Sequence, residues 1–152
     1  MKIEIDRIPD GGMDIEVDEP VEEYDIEPVF SRFVSPVHIS VHADFISGQL
    51  LVRGSISIET AADCSRCLKE IREPVVIDDY LFDGPASEGE TIDLTGNIRE
   101  YIIIALPMKR LCTTECKGLC PHCGKDLNVS ACDCSSKWVD PRFGGLDKLK
   151  FE

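Results

Sequence analysis

The spacing of the cysteines constrains this chain more than any other feature of its sequence. Six of the eight cysteines lie in the 23 residues from Cys112 to Cys134, and the other two form a CSRC pair at Cys64 and Cys67. Two thiols separated by two residues can both face one metal ion from a single turn. Metal binding is therefore the first interpretation, and four disulfide bonds are the alternative.

Disulfide bonds would require an oxidising compartment, and the sequence carries little sign of export. The chain opens MKIEIDRIPD, where charged and apolar residues alternate, so it lacks the basic segment and apolar core of a secretory signal. Its longest apolar stretch, 101–108, contains Pro107 and is much shorter than the ~20 residues that a membrane-spanning helix needs. We expect a cytoplasmic protein with reduced thiols and no membrane partner.

The net charge of −13 is unevenly distributed along the chain. Residues 1–108 hold 8 basic against 23 acidic residues, a net charge of −15, whereas residues 109–152 hold 8 against 6, a net charge of +2. Such an acidic body should repel bare phosphate and attract basic partners. The plainer interpretation is that the acidic residues keep the protein soluble.

Alternating apolar residues predict a sheet in the first half of the chain. Strands are expected around Val37–Ala43, Leu50–Ile58 and Val75–Tyr80, so that the CSRC pair lies in the turn between two long antiparallel strands. An N-terminal hairpin is also predicted. Its apolar positions are Ile3, Ile5, Ile8, Met13, Ile15 and Val17, with DGG at 10–12 as its turn.

The apolar spacing changes to three and four residues between Asp93 and Pro107, which predicts a helix at about 94–106 with one buried face. The small polar residues at 83–90 predict a mobile loop before it. We therefore expect an α+β protein: an antiparallel sheet or partly open barrel with one packed helix, and a C-terminal zinc-binding tail. The predicted division is a body at 1–108 and a tail at 109–152. A short terminal helix should dock through Phe143, Leu146 and Leu149.

The eight thiols divide most economically into two groups of four. Cys120, Cys123, Cys132 and Cys134 form a local set in the tail. Cys64, Cys67, Cys112 and Cys116 remain, and they would join the turn between the strands to the chain that follows the helix. Two closed four-thiolate sites predict two structural zinc ions, with a single ion as the alternative. For Cys64 and Cys67, buried free thiols or a redox pair are the other interpretations.

No catalytic set can be assembled from the remaining residues, so we expect neither an enzyme nor a small-molecule substrate. His38 and His42 are four apart on one strand face, where a metal role is conceivable but an exposed pair is the commoner arrangement. The acidic runs DEPVEEYDIE and Asp78–Asp79 are typical of solvated strand edges.

Several motifs in a fixed order resemble the bacterial and plastid YceD-like family. They are CSRCL, IDLTGNIREYIIIALPMK, LCTTECKGLCPHCGKDLN with the later CDC, and DPRFGGLDKL. The resemblance implies a role in accumulation of large-subunit ribosomal RNA, without a recognised catalytic activity.

Two hypotheses follow for the partner. In the first, the acidic body binds a basic ribosomal protein or a preribosomal particle. In the second, the zinc tail contacts ribosomal RNA directly. The cations that could make this contact are Lys109, Arg110, Lys117, Lys125, Lys137 and Arg142.

Overall fold

The computed structural model describes residues 1–27, 31–134 and 141–143. Within them the chain forms seven strands, one α-helix and three short 3₁₀ turns. The strands are β1 (Lys2–Glu4), β2 (Met13–Glu19), β3 (Arg32–Phe33), β4 (Val37–Ile46), β5 (Gln49–Asp63), β6 (Glu70–Pro85) and β7 (Thr91–Asp93), and the helix is α1 (Thr95–Ala105). Of the residues predicted to dock a terminal helix, Phe143 lies in the 3₁₀ turn Pro141–Phe143 and is 57% exposed, so it is not docked. Leu146 and Leu149 lie outside the described residues.

The main sheet is antiparallel and open. Its strands follow the order β2, β4, β5, with β6 along the far side of β5 and the short β3 pairing one end of β5. The β5–β6 ladder runs from Gln49 opposite Pro85 to Asp63 opposite Glu70, so the CSRC turn closes the longest hairpin of the described chain. The α+β prediction is confirmed, and the sheet does not close into a barrel.

One face of this sheet and one face of the helix form the core. Alternate residues of β4, from Val37 to Ala43, are almost completely buried, as their spacing predicts. Ile98 and Ile102 of the helix, with Leu94 just before it, are buried in the same core cluster. The helix ends at Ala105, and the cysteine-rich segment begins seven residues later, at Cys112.

Local signals set the two ends of α1. The Asp93 carboxylate accepts a hydrogen bond of 2.9 Å from the Thr95 backbone amide, and bonds from Thr95 hold the pKa of Asp93 below its usual value. At the other end Leu106 is extended (ψ 124°), as expected of a residue that precedes proline. The helix is thus one residue shorter at each end than predicted.

The predicted N-terminal hairpin is wrong. β1 pairs with β7, and β2 pairs with β4. A 3₁₀ turn at Ile5–Arg7 ends β1 after three residues, which turns Ile5 into the core beside the Glu90 carbonyl. Alternation correctly marked β2, but of the apolar positions predicted for the first strand only Ile3 lies in β1. The alternation could not specify the partner of either strand.

The predicted loop at 83–90 is also shorter than expected. β6 continues to Pro85, so only residues 86–90 connect it to β7. Ala86 is buried, and Gly89 donates a hydrogen bond of 2.6 Å to Asp6. The predicted mobility of this loop stays a prediction, as does the division of the chain at residue 108. In the described part of the chain, no helix has the length and apolarity required to cross a membrane.

Gly54 lies at a register irregularity between β5 and β6, and on its other side the backbone of β4 approaches it closely. A Cβ there would lie 2.2 Å from the Ser40 carbonyl oxygen, whereas one at Gly96 in α1 would meet nothing within 4 Å. We expect Gly54→Ala to lower the free energy of unfolding by about 1–3 kcal/mol, because backbone atoms of β4 must move. Gly96→Ala, the control, should be neutral or stabilising by up to about 1 kcal/mol. Urea unfolding measures both, and equal stability of the two variants would contradict the close approach.

Candidate metal centres

The first group of thiols lies at the end of the β5–β6 hairpin. It contains Cys64 and Cys67 from the turn and Cys112 and Cys116 from the chain that follows α1, and all four sulfur atoms lie within 4.8 Å of one another. The Cys64–Cys116 sulfur distance is 3.8 Å and the Cys67–Cys112 distance is 3.6 Å. Four ligands at the usual zinc–sulfur length of ~2.3 Å form a tetrahedron with edges of about 3.8 Å. The group therefore has the ligand type, number and spacing of a structural zinc site.

Backbone hydrogen bonds in the turn between β5 and β6 orient the Cys64 and Cys67 side chains. The Cys64 amide donates to the Lys69 carbonyl at 2.9 Å, and the Leu68 amide donates to the Cys64 carbonyl at 3.0 Å. Leu68 adopts a left-handed conformation (φ 59°) that lets the chain reverse directly after Cys67. Both sulfurs of the pair consequently face the same point.

Backbone amides also point at the sulfurs. The Cys112 amide donates to the Cys64 sulfur at 3.4 Å. This bond, followed by one from Cys67, lowers the pKa of Cys64 to about 6. The Lys69 amide lowers the pKa of Cys67, but burial and the neighbouring thiols outweigh this effect and raise the pKa to about 12. Protons that the crowded thiols share in the free protein would be released when a divalent cation binds.

The segment after α1 is fastened to the hairpin turn by direct hydrogen bonds as well. The Ser65 amide donates to the Arg110 carbonyl at 2.9 Å, and the Leu119 amide donates to the Arg66 carbonyl at 3.0 Å. The Arg66 guanidinium donates to the Cys116 carbonyl at 2.6 Å. Gly118 permits this approach, since a Cβ there would lie 3.0 Å from the Arg66 carbonyl oxygen.

The second group of thiols is local. Cys120, Cys123, Cys132 and Cys134 bring their sulfur atoms within 4.8 Å of one another. In the CPHCG turn the Cys120 amide donates to the Lys125 carbonyl at 2.8 Å, and the Gly124 amide donates to the Cys120 carbonyl at 2.9 Å. The amides of Cys123 and His122 lower the pKa of Cys120 to about 6. Cys123 and Cys134 are exposed, whereas three thiols of the first group are buried.

The structure therefore brings together the two sets that the spacing predicted, and in the described residues no other set of His, Cys, Asp and Glu has this proximity. All eight cysteines are free thiols. The chemistry of both sets is compatible with zinc, because four thiolates suit a soft, tetrahedral divalent ion.

Asn128 connects the two groups, which the sequence did not indicate. Its side-chain amide donates to the Cys116 sulfur of the first group at 3.4 Å, and its carbonyl oxygen accepts the Lys117 amide at 2.8 Å. The residue lies in the loop between Cys123 and Cys132, ligands of the second group. Its position between ligand pairs is the only sequence signal that could have singled it out.

The predicted contact cations do not all lie at the surface. Lys109, Lys117, Lys125 and Arg142 are exposed, and Lys137 lies outside the described residues. Arg110 is buried: its side chain is 5% exposed, its guanidinium donates to the Thr60 hydroxyl at 3.0 Å, and it lies 3.4 Å from the Glu73 carboxylate. Arg110 thus packs the start of the tail against β5 and β6, and it is not presented to a partner.

The histidines on β4 pair with acidic residues of β2. His38 lies 2.9 Å from the Asp18 carboxylate and His42 lies 2.6 Å from the Asp14 carboxylate. The hydrogen bond to Asp14 raises the pKa of His42. Cross-strand pairing of this kind explains both histidines without a metal. His122 is exposed within the CPHCG turn.

The two thiol groups predict two zinc ions per chain. Substitution of ligands in one group should remove one ion and leave the other bound. We expect the double variant Cys132→Ser/Cys134→Ser to bind one zinc and to keep the circular dichroism of the sheet, because its ligands are confined to the tail. Cys64→Ser/Cys67→Ser should also bind one zinc, but with a larger loss of stability. Elemental analysis of protein purified under reducing conditions counts the ions. Fewer than one zinc per wild-type chain would contradict the two-site prediction, and one zinc would support the local tail site alone.

Burial of Arg110 predicts a structural role for it. We expect Arg110→Met to lower the free energy of unfolding by about 1–3 kcal/mol, because Thr60 loses a buried hydrogen bond and Glu73 loses its partner. Lys109→Met, at the exposed neighbouring position, should change stability by less than about 0.5 kcal/mol. An Arg110→Met protein with unchanged stability and weaker RNA binding would instead place Arg110 at an RNA surface.

Several known proteins are similar to this chain, and one family model matches it. The family model described as large ribosomal RNA subunit accumulation protein YceD matches residues 78–150, which include six of the eight cysteines. Uncharacterized protein YlbN of Bacillus subtilis is 34% identical over 149 residues, covering 88% of this chain and 87% of that protein. An uncharacterized protein of Mycobacterium leprae is 29% identical, covering 68% of this chain and 55% of its own length.

A plant protein also matches. Large ribosomal RNA subunit accumulation protein YCED homolog 1, chloroplastic, of Arabidopsis thaliana is 26% identical over 157 residues, covering 76% of this chain and 49% of its own length. This chain thus spans about half the length of the plant and Mycobacterium leprae relatives and most of the Bacillus protein. No solved structure matches it. The family model matches this chain, and the Bacillus protein is similar to it along most of the length of both chains. The chain therefore belongs to the YceD family.

Proposed function

We propose that this protein is a non-enzymatic factor that supports the accumulation of large-subunit ribosomal RNA. The observation that carries the proposal is membership of a family whose description, and whose Arabidopsis and maize members, bear that function in their names. The two compact thiol groups support the further proposal that bound metal stabilises the shape through which the protein acts. Reduced thiols require a reducing compartment, so the proposal places the protein in the cytoplasm.

A structural role for the metals is supported by the ligand sets. Each group supplies four thiols, which complete the coordination of a tetrahedral ion, whereas a catalytic zinc keeps one position for water or substrate. Three sulfurs of the first group are buried beneath the hairpin turn and the segment that follows α1. Zinc at this position would join two segments 45 residues apart, Cys67 and Cys112, and its chemistry there would be to hold them together.

The partner that charge favours is a basic ribosomal protein, free or within a preribosomal particle. The chain carries −13, and two four-thiolate zinc sites would bring it to about −17, because each adds about −2. A molecule of this charge attracts cationic chains and repels bare RNA at physiological salt. The proposed action is to hold such a basic chain until ribosomal RNA replaces the acidic surface.

Direct contact of the tail with ribosomal RNA is the second candidate, since Lys109, Lys117, Lys125 and Arg142 are exposed. It predicts RNA affinity that falls steeply with salt, and a shallower slope when these cations are replaced. The eight basic and six acidic residues of 109–152 form a weak electrostatic footprint, which places this candidate second.

Deletion of the gene tests the proposed function. We expect the ratio of large-subunit to small-subunit ribosomal RNA to fall, and wild-type protein to restore it. Cys64→Ser/Cys67→Ser should not restore it, because the tail loses its attachment to the hairpin, whereas Lys109→Met should. Immunoblotting of each variant separates loss of function from loss of protein. An unchanged ratio in the deletion strain would overturn the proposal.

Affinity purification at moderate salt, with and without nuclease, separates the two candidates for the partner. Retention of a basic ribosomal protein after nuclease treatment supports binding to protein. Recovery of ribosomal RNA in the absence of any ribosomal protein supports the second candidate and contradicts the first.

A further inference from the structure

β2 forms a free edge of the main sheet. It pairs with β4 along all seven of its residues, from Met13 opposite Ala43 to Glu19 opposite Val37. On its other side no strand pairs with it in the described part of the chain. In an antiparallel ladder alternate residues direct their backbone donors and acceptors toward opposite neighbours. About half of the backbone groups of β2 therefore point to the open side, where another strand could bind.

The two faces of β2 differ in chemistry. Asp14, Glu16 and Asp18 lie on the outer face, with side chains that are 92%, 75% and 65% exposed. Met13, Ile15 and Val17 lie on the inner face and are only partly buried, and Ile15 and Val17 pack at the margin of the core. A strand added here would therefore find carboxylates on one face and uncovered apolar surface on the other.

We propose that the free edge of β2 binds an extended basic segment of a partner protein as an additional antiparallel or parallel strand. Basic side chains of that segment would lie on the outer face beside the three carboxylates, at the ~5 Å spacing of cross-strand neighbours. Its alternate apolar side chains would cover Ile15 and Val17. The acidic residues alone indicate only a solvated face; it is the open backbone ladder that defines where and how a chain binds.

A second copy of this chain does not fit the same edge. Antiparallel self-pairing centred on Glu16 would place Glu16 opposite itself and Asp14 opposite Asp18 of the other copy. Like charges directly opposite each other destabilise a sheet. The same carboxylates would repel the phosphates of a nucleic acid. His38 and His42 contact these acids, but two imidazoles leave the three carboxylates with net negative charge even when protonated.

The opposite edge of the sheet is less suited to this role. Pro74 in β6 has no amide to donate, and the Tyr101 hydroxyl of α1 already donates to the Leu81 carbonyl of β6 at 3.1 Å. β2 contains no proline and ends at Glu19, whose carboxylate lies 2.8 Å from the Met1 amino group. The end of β2 is thereby anchored, while no strand among the described residues pairs with its outer edge.

The test uses the zinc-loaded full chain and a fluorescein-labelled nine-residue peptide in which Lys and Val alternate. We expect the peptide to bind, and Asp14→Asn/Glu16→Gln/Asp18→Asn to weaken binding roughly tenfold, because three cross-strand charge pairs are lost. The matched control is Asp78→Asn/Asp79→Asn/Asp83→Asn, which removes the same charge from β6. Its affinity should stay within about twofold of wild type. Fluorescence anisotropy measures each affinity.

Hydrogen exchange of the wild-type protein locates the bound peptide independently of any variant. Amides of residues 13–19 should exchange more slowly in the complex. A peptide N-methylated at every backbone amide, which cannot complete the ladder in either strand direction, should neither bind nor protect them. Equal weakening by the two triple variants, protection at β6, or absence of binding would overturn the inference.

This inference rests on the proposed function only for the identity of the partner as a basic protein. The outcomes are separable. If the peptide does not bind, the inferred site at β2 is wrong, but a fall in the ribosomal RNA ratio of the deletion strain would still support the proposed function. An unchanged ratio would remove the ribosomal role while binding at β2 could still be measured.

Discussion

The attachment of the cysteine-rich segment to the tip of the β5–β6 hairpin is the contact on which the rest of the tail depends. Apart from the main core, the described chain has one small cluster of buried residues, formed by Cys64, Cys67 and Cys116 with Leu111, Cys112 and Leu119 packed around them. So small a cluster buries too little apolar surface to hold a loop-rich segment in place. Metal–thiolate bonds can supply that stability, since structural zinc contributes roughly 10–16 kcal/mol in small zinc-finger peptides.

This attachment also determines how charge is arranged. The sheet carries its acidic residues on solvent-facing positions of β2 and β6, whereas Lys109, Lys117 and Lys125 lie on the segment beyond α1. The first thiol group lies where that segment meets the far end of β5. The molecule therefore has two chemically different surfaces: the acidic edge of β2 and the exposed lysines beyond α1. Under the proposed function the sheet binds the basic protein, and contact between RNA and the cysteine-rich segment is not required.

Much of the fold follows from sequence periodicity, with one instructive exception. Period-two alternation predicted β4, β5 and β6, and the three-and-four spacing around Ile98 predicted α1, because in each case one face is buried. The same alternation marked β2 and part of β1 but paired them wrongly. A strand pattern states which face is buried and says nothing about the neighbouring strand. Here the 3₁₀ turn at Ile5–Arg7 separates the two strands, so that β1 pairs with β7 and β2 pairs with β4.

The sequence by itself determined the ligand chemistry: eight thiols in short-range pairs, and a local set of four within 15 residues that needs only its own turns to converge. Cys64 and Cys67 could be assigned to Cys112 and Cys116 from sequence only by elimination; their meeting depends on the long β5–β6 ladder and on the path of α1. The burial of Arg110 and the bond from Asn128 to Cys116 were decided by tertiary structure alone. Both depend on which distant backbone passes within hydrogen-bonding distance, and no local pattern encodes that.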